Sequence, residues 1–411
     1  MQTTLSEQAR QLPRALEAER ILRSCVHCGF CNATCPTYQL LGDELDGPRG
    51  RIYLIKQVLE GNPATEKTGQ HLDRCLSCRN CETTCPSGVD YHNLLDIGRA
   101  VVDAQVPRPL GQRLLRAGLR HVLPDAALFR RLLGGARLLR PWLPAPLQGK
   151  LPRQPPAPGL RPAPRHARHV LLLEGCVQPS LSPNTNAAAT RVLDRLGISV
   201  TPAREAGCCG AVDYHLDAQA AGLDRARRNI DAWWPGIEQG AEAIVQTASG
   251  CGAFIKDYGH LLGNDPAYAE KAARVSALAR DLVEVLRDEP LQTLGVCSDQ
   301  RLAFHCPCTL QHGQKLGGAV EGILIQLGFN LTAVPDSHLC CGSAGTYSLT
   351  QPELSRQLRD NKLNALESAH PEVIVTANIG CQAHLDNAGR TPVRHWIELV
   401  EAALPQPEAA P

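Results

Sequence analysis

Residues 25–36 read CVHCGFCNATCP and residues 75–86 read CLSCRNCETTCP. Both follow one pattern: Cys25, Cys28, Cys31 and Cys35 stand before Pro36, and Cys75, Cys78, Cys81 and Cys85 before Pro86. With 18 cysteines in 411 residues, four at fixed offsets arise with a probability of about 4 × 10⁻⁶ per start, so chance does not explain two copies. Three thiolates at three-residue spacing can curl around one iron–sulfur cube, and the trailing proline turns the chain away. In two-cluster ferredoxins the fourth cysteine of each run ligates the other cluster. The spacing therefore assigns Cys25, Cys28, Cys31 and Cys85 to one [4Fe–4S] cluster, and Cys75, Cys78, Cys81 and Cys35 to a second. Structural zinc pairs two short Cys-x-x-Cys knuckles, which would leave the third and fourth cysteines of each run without a role.

Between the runs, GPRGRIYLIKQVLEG (47–61) reads as a helix. Residues 1–105 are thus expected to form a helical dicluster ferredoxin-like domain. The runs are not equivalent, since Arg79 stands where the first has Gly29. A cation there would raise the second cluster's potential, because positive charge stabilises the added electron.

No cysteine lies between 86 and 175, and ten lie from 176 to 381. Strand and helix signals alternate there twice. The strand HVLLL (169–173) ends near Cys176, ISV precedes Cys208-Cys209-Gly210, and AIVQT precedes Cys251. In the second copy RLAF ends near Cys306 and Cys308, FNLTAV precedes Cys340-Cys341-Gly342, and VIVTA precedes Cys381. Cys176 and Cys208 are separated by 31 residues, as are Cys308 and Cys340, which favours Cys308 over Cys306 as the repeat's member. The fold class is α+β overall: the dicluster domain followed by two duplicated α/β Cys-Cys-Gly modules, 166–290 and 291–405, each with a parallel sheet. Ligands of such sheets bind beyond the strands' carboxyl ends. Cys176, Cys208, Cys209 and Cys251 would converge there in one module, and Cys308, Cys340, Cys341 and Cys381 in the other. Each set is a candidate for a further iron–sulfur centre. Gly210 and Gly342 are expected to let backbone approach such a cofactor.

Residues 106–165 form a basic Leu/Pro/Arg-rich linker with 12 Pro, 14 Leu and 11 Arg, and Asp125 is its only acid. Leu110, Leu114, Leu115 and Leu119 are spaced as on a helix, as are Leu128, Leu132, Leu133 and Leu139. Two short basic amphipathic helices and a Pro-rich linker, 141–164, are expected. They would dock on protein or meet an anionic membrane surface.

The rest of the composition excludes several classes. The 43% apolar content supports a core, and no run of about 18 apolar residues is available to span a membrane. The polar start MQTTLSEQARQLPRALEAER has no signal-peptide core, so a reducing cytoplasm is expected, with the inner face of the cytoplasmic membrane as the surface the basic stretch would meet. A net charge of +1 says nothing about nucleic acid, and 4% aromatics argue against base stacking, so no nucleic-acid partner is expected. Gly-x-Gly-x-x-Gly, Gly-x-x-x-x-Gly-Lys, Gly-x-Ser-x-Gly and His-Glu-x-x-His are all missing, which weakens nucleotide, hydrolase and zincin readings. Redox cysteines without a site for an organic substrate describe an electron relay with no catalytic residue of its own, whose partner holds flavin and substrate.

The two cysteine runs, GPRGRIYLI between them, HCPCTLQHGQKLGG (305–318) and LCCGSAGTYSLTQPELS (339–355) together resemble the iron–sulfur subunits of bacterial glycolate oxidase (glycolate dehydrogenase) over nearly the whole chain. The same layout occurs in iron–sulfur subunits of anaerobic glycerol-3-phosphate dehydrogenase, in lactate-utilisation proteins and in heterodisulfide reductases. The resemblance implies flavin-binding partner subunits that oxidise glycolate to glyoxylate, with electrons passing through this chain toward a quinone-type acceptor. Heterodisulfide reductase modules end in Cys-x-x-Cys, whereas Phe254 follows Cys251 and His384 follows Cys381 at that spacing. Direct disulfide reduction is therefore not expected.

Overall fold

The computed structural model describes residues 1–142, 144, 152 and 154–405. Part of the Pro-rich linker thus lies outside the described residues. The chain forms two compact units, Met1–Ala117 with His338–Lys362, and Gly118–Ser337 with Leu363–Pro411.

Every regular element described within residues 1–117 is helical. Pro48 opens the helix Pro48–Leu59 at a position whose missing N–H costs nothing. Ile52, Ile55, Val58 and Leu59 are buried with Ile21 and Leu22 of Ala15–Ser24 and with Leu94, Leu95 and Val102 of Tyr91–Gln105. The helix Glu66–Asp73 starts in a capping box: Thr68 N donates to Thr65 Oγ1 at 3.2 Å and Thr65 N to Thr68 Oγ1 at 3.3 Å. This frame holds the two cysteine runs.

The other unit carries two parallel sheets. Strands β1 (Arg168–Leu172), β2 (Ile198–Pro202), β3 (Ile244–Gln246) and β4 (Ala279–Asp281) lie in the order β2-β1-β3-β4. Strands β5 (Arg301–His305), β6 (Asn330–Leu331), β7 (Val373–Thr376) and β8 (Val393–His395) repeat that order as β6-β5-β7-β8. Alternate residues of β1 serve opposite faces. Val170 and Leu172 join a core with Val192, Leu302, Phe304, Val375 and Trp396 that binds the two sheets together. Leu171 joins Trp233, Ile244 and Tyr258 on the other face.

The fourth strands, β4 and β8, were not predicted from sequence. Each is three residues long with an exposed arginine at its centre, Arg280 or Arg394, too short to show alternation. FNLTAV contributes only Asn330–Leu331 to a strand, followed by one further bond to β5, Thr332 N donating to Leu302 O at 2.8 Å. Both basic helices are present, as Leu110–Val122 and Ala126–Leu138, the second capped by Asp125. Leu133 is buried, but Leu110 (68%), Leu114 (64%), Leu132 (50%) and Leu138 (81%) face solvent.

Candidate metal centres

Two open clefts lie in the helical unit. One, of about 430 Å³, is lined by Cys25, Cys28, Cys31 and Cys85, with Cys81 also on its wall. The other, of about 300 Å³, is lined by Cys35, Cys75, Cys78 and Cys81. Each takes three thiols from one run and the fourth from the other. Asn80 ties the runs together, donating to Thr34 O at 2.9 Å, and Thr84 Oγ1 reaches Thr34 Oγ1 at 3.2 Å.

The loops share a backbone device. His27 and Gly29 in the first run, and Ser77 and Arg79 in the second, are left-handed, with φ of 60°, 87°, 51° and 61°. Such turns aim successive N–H groups inward, forming a concavity that suits negative charge. Ser77 N donates to Cys75 Sγ at 3.4 Å. The His27 N–H acts likewise on Cys25, against a burial that pushes that thiol up. Burial pushes Cys31 up to about 11, with Cys25 and Cys85 adding to the rise. Complete burial, then Cys78 and Cys75, raise Cys81 well above its ordinary value. Thiols gathered this closely ionise together only when a positive centre compensates them, so both clefts fit a cluster of iron ions.

The second cleft has a built cationic wall. Arg51 is fully buried, and its Nε donates to His71 O at 2.7 Å. Burial alone would lower its pKa, but Cys75, Tyr91, Cys35 and Asp46 raise it, so the charge is permanent. Asp46 also takes Arg74 at 2.8 Å and His71 at 3.0 Å. Arg79 pairs with Glu82 at 2.8 Å, so the cation singled out from sequence is already balanced. Arg51 was missed, although a signal existed: it lies on the same helical face as Ile55, Val58 and Leu59, an unusual place for an arginine.

The first Cys-Cys-Gly module brings its four cysteines together at the sheet's carboxyl edge. Cys176 follows β1, Cys208 and Cys209 follow β2, and Cys251 lies in the helix Ser249–Lys256 after β3. Cys176 and Cys209 are within hydrogen-bonding reach of Cys208, which holds the Cys208 thiolate low and pushes its two neighbours up. Cys209 also meets Cys251. Tyr258 OH donates to Cys209 O at 2.5 Å, and Asn229 Nδ2 to Cys208 O at 3.0 Å, which fix the loop. Phe254 packs against Tyr214 and Tyr258 with centroids 5.3 and 5.8 Å apart, so the fourth position of a Cys-x-x-Cys is a core aromatic here.

In the second module Cys306 and Cys308 follow β5, and Cys381 lies in Ile379–Asp386 after β7, where Asn378 Nδ2 donates to its Sγ at 3.5 Å. Cys306 belongs to the apolar core, while Cys308 opens the turn Thr309–Gly313. Cys340 and Cys341 are buried in the segment 338–362, which belongs to the helical unit. There Asn80 Nδ2 donates to His338 O at 3.2 Å, and Tyr347 OH to Arg74 O at 3.2 Å. The two glycines are required by close backbone packing. Gly210 and Gly342 have φ of 101° and 86°, and a Cβ would sit 2.4 Å from Gly222 O or 2.6 Å from Ser355 O.

Thiol-lined clefts on a helical frame, joined to two parallel-sheet modules with thiols at strand ends, define an iron–sulfur electron-transfer protein. Residues 21–89 match the family described as a 4Fe-4S dicluster domain, and residues 170–256 and 302–386 match that described as a cysteine-rich domain. The chain is 71% identical over 404 residues to the glycolate oxidase iron-sulfur subunit of Escherichia coli (strain K12), covering 98% of this chain and 99% of that protein. It is 31% identical to the probable glycolate oxidase iron-sulfur subunit of Bacillus subtilis (strain 168), over 88% of this chain and 87% of that one. Lactate utilization protein A of Bacillus licheniformis is 27% identical over 52% of this chain and 88% of its own length. The chain belongs to the family of glycolate oxidase iron–sulfur subunits, components of an oxidoreductase.

Proposed function

We propose that this chain relays electrons from flavin-bearing partner subunits that oxidise glycolate to glyoxylate toward a quinone-type acceptor. Two clefts, each completed by a thiol from the opposite run, carry this reading. Cys25, Cys28, Cys31 and Cys85 would hold one [4Fe–4S] cluster, and Cys35, Cys75, Cys78 and Cys81 the other; such clusters accept and release single electrons. The chain's own residues hold the thiolates in register through the inward N–H groups and the Asn80–Thr34 tie, and Arg51 and Tyr91 close the second cleft. The proposed division remains 1–105 for this domain, 106–165 for the basic stretch, and 166–290 and 291–405 for the modules. Substrates other than glycolate have narrower support, since the lactate-utilisation relative matches only half the chain.

The crossing is testable on the full chain after anaerobic reconstitution. Cys35→Ser should abolish the same EPR signal as Cys78→Ser, and Cys85→Ser the same as Cys28→Ser, each variant losing about four of the roughly eight irons expected in the two clefts. If Cys35→Ser instead removes the Cys28 signal, the ligand sets are uncrossed.

Cys176, Cys208, Cys209 and Cys251, with Cys308, Cys340, Cys341 and Cys381, are proposed to supply at least one further redox centre. The four-thiol gathering after β1, β2 and β3 supports this for the first module. In the second, the segment bearing Cys340 and Cys341 meets the dicluster frame through Asn80 and Tyr347, which supports a hand-over there.

No helix among the described residues is long and apolar enough to cross a membrane. Exposed Leu110, Leu114, Leu132 and Leu138, with Arg113, Arg130 and Arg131 exposed beside them, support peripheral contact with anionic lipid. Sedimentation with anionic vesicles should show binding that weakens as salt rises past about 0.15 M. Binding indifferent to lipid charge and salt would leave these helices as a protein-docking face.

A further inference from the structure

The two clefts differ in the charge placed around them. Both terminal nitrogens of Arg51 donate to Thr37 Oγ1 at 3.2 Å, and that oxygen lies 3.3 Å from Cys35 Sγ. One hydroxyl separates a permanent, fully buried cation from a thiol of the second cleft. Arg74 shares Asp46 with Arg51. Arg99 is 9% exposed and donates to Cys75 O at 2.9 Å and to Ser77 Oγ at 3.1 Å. Arg51 and Arg74 thus share one carboxylate, and Arg99 stands on the main chain of the loop that carries Cys75. Around the first cleft, Arg49 is matched by Glu44 at 2.6 and 2.9 Å and its side chain is 33% exposed to screening water, while the half-buried N-terminal ammonium donates to Cys25 O and to Leu22 O.

We propose that Arg51 is a positioning residue that orders the two centres: the one held by Cys35, Cys75, Cys78 and Cys81 is the stronger electron acceptor, and the one held by Cys25, Cys28, Cys31 and Cys85 the weaker. This rests on the dicluster reading above. Each centre gains one electron, hence one unit of negative charge, from an external donor. Arg51 holds positive charge where that electron arrives, in a buried setting where Coulomb attraction is weakly screened. At the first cleft Glu44 and water offset Arg49, which leaves the half-buried N-terminal ammonium, beside the Cys25 main chain, as a weaker counterpart to the fully buried Arg51. Thr37 and Asp46 fix the guanidinium, so little reorganisation accompanies the electron.

The test is a dithionite redox titration of the full, anaerobically reconstituted chain, followed by EPR, with Cys28→Ser and Cys78→Ser assigning the signals. In the unmodified chain the signal lost in Cys78→Ser should reduce first. Arg51→Gln should shift the reduction equilibrium of that centre about tenfold toward the oxidised form, about 59 mV for one electron, and leave the other signal in place. Arg51→Lys should restore most of the shift. Loss of iron from Arg51→Gln but not from Arg51→Lys would support the same charge requirement. The proposal is overturned if the Cys28 signal reduces first, if Arg51→Gln moves neither signal or both equally, or if Arg51→Lys behaves as Arg51→Gln does. Lack of acid-labile sulfide in the unmodified chain would remove the dicluster reading itself, a result distinct from any of these.

Discussion

The first Cys-Cys-Gly module gathers Cys176, Cys208, Cys209 and Cys251 within one compact unit, whereas the second places Cys340 and Cys341 in the unit of the dicluster frame. Strand order is identical in the two copies. The clearest exchange lies at the end of the fourth strand, where one residue also caps the next helix. Asp281 does this in the first copy, accepting from Val283 N at 3.2 Å. His395 does it in the second, its Nδ1 accepting from Ile397 N at 3.3 Å. A duplicated architecture therefore constrains where a capping group stands and leaves its charge free to change. The same holds for the cysteine loops, whose backbones repeat while their surroundings diverge.

The comparison breaks most visibly at the paired cysteines. Cys341→Ala should interrupt electron flow from substrate to a quinone acceptor by about tenfold or more, while reduction of an artificial flavin-level acceptor survives. Cys209→Ala should lower iron content in the first module, and its effect on flow shows whether both copies take part. Full iron and full quinone-linked activity in both variants would make the modules structural.

The caps offer a finer contrast through pH. Burial pushes the Asp281 carboxyl up to about 7, with Glu284 adding to the rise. The folded state then binds the proton more tightly than the unfolded state, so stability from this group is lost as pH rises from about 4 to about 7. Burial lowers His395 to about 4, although the bond from its Nε2 to Thr247 O, at 2.8 Å, acts the other way. Here the unfolded state binds the proton more tightly, so stability is lost as pH falls from about 6.5 to about 4. The two slopes oppose each other over nearly the same window. Asp281→Asn, which keeps a capping oxygen, should make the protein relatively less stable on acidification. His395→Asn should make it relatively less stable toward neutrality, each by about 2–4 kcal/mol across the window. Urea unfolding at pH 5.5, 6.5 and 7.5 checks this, and parallel pH curves for all three proteins would show that these groups are not the source.

Spacing alone made the two cysteine runs, the three main strands of each module and the helix after Pro48 legible, because each rests on a local period or on fixed offsets between like residues. Other features were illegible for identifiable reasons. Strands β4 and β8 exist only because a neighbouring strand supplies their ladder. The carbonyls of Gly222 and Ser355 exclude a side chain at Gly210 and Gly342, a long-range packing constraint that the Cys-Cys-Gly motif does not show. Arg79 looked like the cation of the second run, and only the fold reveals that Glu82 neutralises it. The sequence by itself determined the ligand types, their number and the duplications, since these are written in residue identity and interval. The tertiary structure decided that Arg51, fully buried beside Thr37 and Cys35, lines only one of the two clefts. Such assignments depend on long-range packing and on the desolvation of a single charge, which no local pattern encodes.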